Sequence, residues 1–195
     1  RSYSVTGVQT CALPIYALSS ADAVTNEINR IPKLIMEFLT VISAWIIFIF
    51  VLTIATKSDF DYNSIVAVIL MGLFLLTTLS VHFISIVLSR TSLNSDAIMT
   101  NILSFSWPSI LYALDILSWN CIFGVALLYI GFHAKRIYSK RIGNLIAISG
   151  VICLSGLVAL PLNNMNFRFI GVAGYTVFPI LIGSLVLYKE IKNER

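Results

Sequence analysis

Apolar residues fall in five long blocks separated by short polar breaks. A helix needs about 20 apolar residues to cross a hydrocarbon core of ~30 Å, and each block is of that order. The first covers 34–56 and follows a polar stretch at 25–30 and Pro32. The second covers 64–88 and opens at Asp61 and Asn63, either of which suits an N-cap. The third covers 106–132, with Pro108 in its first turn, where the missing N–H costs nothing. The fourth covers 143–160 and stops at Pro161 and the Asn163–Asn164 turn, and the fifth covers 169–188, with Pro179 set to kink it. Between the second and third, Ile98, Ile102 and Phe105 recur at helical spacing with Asn94, Asp96 and Asn101 elsewhere. That pattern predicts a short amphipathic helix at the interface. The expected fold class is all-α: an integral membrane helical bundle with five transmembrane helices and a short interfacial helix.

Composition points the same way. Of 195 residues 58% are hydrophobic and 11% are charged, where a soluble domain carries about a quarter charged. Too few water-compatible side chains remain to cover a globule, so the lipid bilayer is the expected partner. The net charge of +4 does not point to nucleic acid, because the basic residues sit in short clusters between apolar runs. Cys121 and Cys153 lie within apolar blocks and show no metal-binding spacing with His or with each other.

Residues 1–15 stand apart. The string VTGVQTCALPI at 5–15 resembles a translated sequencing-library adapter rather than native protein. The other reading, a secretory leader, lacks an uninterrupted apolar core, since Thr6, Gln9 and Thr10 break it. The domain reading is therefore 1–15 as a non-native leader and 16–195 as one transmembrane domain, truncated at its N-terminus.

Lys and Arg counts set the orientation. Segment 133–141 holds four and the tail after Tyr188 holds three, and both lie on one side of the membrane. The positive-inside rule places that side, and the C-terminus, in the cytoplasm. Segment 163–168, with Arg168, then faces outward as a loop.

WPSILYALDILSW at 107–119 and FGVALL at 123–128, with SVHFI at 80–84 and GVAGYTVFP at 171–179, resemble a small uncharacterised bacterial multi-pass family of about six spans. The resemblance covers about 34–190. It implies a helical architecture, a missing first span and a bacterial cytoplasmic membrane, and it implies no activity.

Ionisable groups within spans are costly, ~2.5–3.5 kcal/mol at a helix centre, so each needs a reason to be there. Glu37, His82 and Asp115 are three such groups. Because alternate spans run in opposite directions, all three fall in the same leaflet, which the orientation makes the outer one. Thr78, His82, Ser85 and Ser89 share one stripe of their helix. Tyr112, Asp115 and Trp119 share another, with Ser118 beside it, and Glu37 and Thr40 form a third. Stripes this polar should turn inward, where they are able to meet. One reading is a hydrogen-bonded network that fixes helix packing, with Glu37 alternatively reaching Lys33. Another is a proton or ligand site in which His82 and Asp115 exchange a proton. A metal site from one His and two carboxylates is thin ligation, and no catalytic or cofactor motif accompanies it.

Small residues at Gly143/Ala147 and Ser155/Ala159 allow close helix approach, either within the bundle or in a homo-oligomer. His133, beside Lys135 and Arg136, reads as solvated or bound to lipid phosphate. The expected function is non-enzymatic, a small-solute or proton-coupled transporter or an accessory membrane subunit. The alternatives are an intramembrane enzyme using Glu37, His82 and Asp115, and a structural partner of a membrane complex.

Overall fold

The computed structural model describes residues 30–88, 102, 107–177 and 182–185. All regular structure among the described residues is helical. Helix α1 is Arg30–Ala55 and α2 is Tyr62–Leu88. Helix α3 is Ile110–Ile137, interrupted by a π-helical segment at Leu117–Ile122. Helix α4 is Lys140–Ser155, tightened into a 3-10 turn over Gly156–Ala159. After a short 3-10 turn at Met165–Phe167 comes α5, Arg168–Val177. Each helix packs on the next in sequence, with α3 against α4 the most extensive contact.

Helices α1, α2, α3 and α4 with its final turn are each long and apolar enough to cross a membrane. These are the first four expected spans. The fifth is described as helix over Arg168–Val177 and again at 182–185; Pro179 and the rest of that block lie outside the described residues. So does the expected interfacial helix, apart from Ile102.

Local chemistry sets the helix starts. Asp61 opens α2 through a reciprocal pair: Ser64 N–H donates to its carboxylate at 2.8 Å, and its own N–H donates to Ser64 Oγ at 2.9 Å. For α3 the start falls later than expected. Ser109 is the N-cap, accepting from Tyr112 N–H at 3.2 Å, so Pro108 precedes the helix instead of sitting in its first turn. The basic segment 133–141 is not an open loop. Lys135 and Arg136 belong to the last turn of α3, and Ser139 caps α4 by accepting from Ile142 N–H. Lys and Arg are good helix formers, and at a C-terminus they oppose the helix dipole favourably. The chain then turns at Asn163, whose φ of 46° is one that Asn tolerates, and Trp107 Nε1 donates to its side chain at 3.1 Å.

The outward faces are apolar. Ile35, Phe38, Ile42, Trp45, Ile46 and Ile49 on α1 are all about half exposed, a stripe far larger than a water-facing surface normally presents. The interior holds an aromatic layer: Trp119 lies 4.9 Å from Phe74 and 5.0 Å from Tyr175, ring centre to ring centre. Beneath it, Ala67, Met71, Phe123, Leu127, Ile130 and Ala134 are fully buried.

The small residues serve packing inside the chain. A Cβ built on Gly150 would stand 2.7 Å from Gly124 O, and one on Gly131 would stand 2.9 Å from Ala147 N and Gly143 O. Helices α3 and α4 therefore meet backbone to backbone.

Candidate functional site

At one end of the bundle four helices contribute one ionisable side chain each. Glu37 comes from the second turn of α1, His82 from the end of α2, Asp115 from the start of α3 and Arg168 from the first residue of α5. All four are buried, with exposures of 1%, 5%, 3% and 3%.

They form a row. His82 Nδ1 is paired with Glu37 Oε2. On its other edge, His82 Nε2 lies 3.7 Å from Asp115 Oδ1, an ion-pair distance too long for a hydrogen bond. Arg168 Nη2 then donates to Asp115 Oδ2 at 2.5 Å. Ser85 Oγ donates to Glu37 Oε1 at 2.7 Å. One turn deeper, Thr78 and Ser118 share a hydrogen bond at 2.7 Å, and Ser118 also reaches Phe74 O at 3.2 Å. The imidazole thus stands between two carboxylates, and one carboxylate stands between imidazole and guanidinium.

The charges can be counted. With His82 protonated, two carboxylates face two cations and the row is neutral. With His82 neutral, one negative charge is uncompensated in an apolar interior, where Coulomb interactions are strongest. The net charge of the row thus differs by one between the two forms of the imidazole.

Arg168 is incompletely satisfied. Among the described residues its Nε and Nη1 have no hydrogen-bond partner, although both are buried. Its guanidinium lies over the Tyr112 ring, 4.6 Å from the centroid. Stacking supports the plane of a guanidinium and leaves its N–H edges unbonded. Each orphaned donor costs roughly 1–3 kcal/mol, more on a charged group.

The inward stripes expected from sequence are present: Thr78, His82 and Ser85 on α2, and Tyr112, Asp115, Ser118 and Trp119 on α3, are all buried. Their roles divide. Tyr112 supports Arg168, whereas Trp119 belongs to the aromatic layer below the row. Thr40 donates to its own helix, at Met36 O, and takes no part. Glu37 is held by His82 and Ser85; the side chain of Lys33, its other expected partner, lies outside the described set, as does Ser89.

Arg168 is the residue that sequence reading misplaced. Expected in an outward loop, it opens α5 on a buried face with Gly171, Val172 and Tyr175. Spacing of three, four and seven residues is the signature of one helix face, and it was readable had the helix been started at 168.

A second cluster occupies the opposite end. His133 Nδ1 is 2.8 Å from Asp61 Oδ1, and Asp61 also pairs with Arg136. His133 is 2% exposed, so the expectation of a solvated or lipid-bound imidazole is corrected. The cause is topological: Asp61 starts α2 at the level where α3 ends. About 20 residues of α2 separate Asp61 from His82, which at ~1.5 Å each puts the clusters roughly 30 Å apart.

Among the described residues no three His, Cys, Asp or Glu side chains are grouped to hold a metal ion. The row runs through opposite nitrogens of His82 and does not close on a common point. Comparison with protein-family models, curated proteins and solved structures finds no match.

Proposed function

We propose that this chain is a proton-coupled transporter of a small solute, or the proton-carrying subunit of one, in a bacterial cytoplasmic membrane. Glu37, His82, Asp115 and Arg168 are its proton and ligand site. The carrying observation is the row itself, four buried ionisable groups from four helices in consecutive contact.

Packing alone is a weak account of such a row. Neutral polar groups suffice to fix helix contacts, and a buried ion network is often no more stabilising than well-packed apolar residues of the same volume. Ionisable residues retained inside a bilayer bundle most often mark an ion or proton path. The row also couples helices: gain or loss of one proton at His82 changes its attraction to Glu37 on α1 and Asp115 on α3 together. A proton-driven rearrangement of helices needs that kind of link. Orientation follows from charge. Lys57, Lys140, Arg141 and Arg136 are exposed at the end of the bundle opposite the row, so the row faces the non-cytoplasmic side under the positive-inside rule.

The test is proton movement. The full chain is reconstituted in liposomes carrying an internal pH dye, and an inward proton gradient is imposed. The gradient should collapse faster with the native chain than with His82→Gln or with empty vesicles. Equal rates in all three would overturn the reading and leave the row as the tie of a structural membrane partner.

A further inference from the structure

Two independent features of Arg168 converge on a ligand class. Its guanidinium spends one nitrogen, Nη2, on Asp115, while Nε and Nη1 are buried donors with no acceptor among the described residues. It lies over the Tyr112 ring, 4.6 Å from the centroid. The two free donors lie on different edges of the guanidinium, each edge shared with Nη2, whose second N–H completes the edge that Asp115 leaves open; that edge is suited to an oxyanion, since a planar fork matches two oxygens at once.

From this, resting on the proton-coupled reading above, we propose that the site binds a small monocarboxylate through Arg168, and that one proton enters with it. The row sets the charge. It is neutral with His82 protonated and Arg168 paired to Asp115. One carboxylate adds one negative charge, and one further proton, taken by Glu37 or by Asp115 as the ligand displaces it from Arg168, restores neutrality. A dianion would require two such protons in an apolar interior already holding two carboxylates, so sulfate or doubly charged phosphate is disfavoured. Chloride offers one spherical centre to both donors of an edge, so its contact is longer and less directed than that of two carboxylate oxygens. The anion needs its proton, because alone it leaves the site negative, whereas the proton of His82 can still exchange without the anion.

The purified full chain in detergent would be titrated with acetate by calorimetry in buffers of different ionisation enthalpy, which gives protons taken up per acetate bound. Saturable binding with about one proton per acetate is expected, with affinity about ten-fold weaker in Arg168→Lys, which keeps the charge and loses the fork. A Phe169→Leu chain, whose side chain is 43% exposed beside Arg168, should bind as the native one does and shows that a substitution at the start of α5 is not disruptive in itself. No acetate binding by the folded native chain, equal affinity for sulfate or chloride, or full affinity in Arg168→Lys would each overturn the proposal. The two readings fail separately. If liposomes still show His82-dependent proton movement while acetate does not bind, the proton site stands and the carboxylate inference falls.

Discussion

The pairing of Asp115 with Arg168 yields the sharpest stability prediction. Asp115→Asn keeps the size of the side chain and one acceptor oxygen, so any effect comes from the charge. In the native chain Asp115 balances a guanidinium that is 3% exposed and already carries two unbonded donors. Removing one partner of a buried pair costs about 3–5 kcal/mol, because the other charge remains without compensation. The lower end applies here, about 3 kcal/mol, since the amide oxygen still accepts from Nη2. Arg168→Met alone removes the cation and leaves Glu37 and Asp115 against His82, at a similar cost of about 3 kcal/mol. The double variant removes both charges and should cost clearly less than the sum, by about 1–3 kcal/mol of coupling. The assay is reversible unfolding in mixed detergent micelles for the four chains of the cycle. If Asp115→Asn costs under about 1 kcal/mol and the two single effects add, the pair is not the buried contact described, and the argument from burial collapses.

Two further predictions concern the rest of the bundle. Asp61→Ala removes both the N-cap of α2 and the partner of His133, so it should destabilise by about 1–2 kcal/mol from the cap and more from the ion pair; Asn63→Ala, at the other candidate cap, should be near neutral in the same unfolding assay. Gly150→Val puts a side chain where Gly124 O stands 2.7 Å from a built Cβ, and should cost at least about 1–3 kcal/mol; an unfolding midpoint equal to that of the native chain would mean that α3 and α4 do not meet backbone to backbone.

Much of this protein is written along the chain. Hydrophobic block length alone gives the helical class and the first four spans, because a bilayer accepts only segments whose backbone is satisfied within a helix. The shared leaflet of Glu37, His82 and Asp115 follows from counting residues between span ends, and their inward direction from helical phase, so the sequence allows their meeting without requiring it. Ser85 was legible for the same reason. What the chain could not give is which side chain bonds which, because that depends on how helices turn about their own axes as they pack. Only the tertiary structure put Arg168 against Asp115, separated by 53 positions in sequence, and gave Tyr112 the role of its support while Trp119 went to the aromatic layer. Only it brought Asp61, which keeps its place as the cap of α2, to His133, so that an imidazole read as solvated is buried against a partly exposed carboxylate. Local sequence fixes depth and face through hydrogen bonding and hydrophobicity; partnership is a property of the packed bundle, decided where small residues such as Gly124, Gly131 and Gly150 let the backbones close.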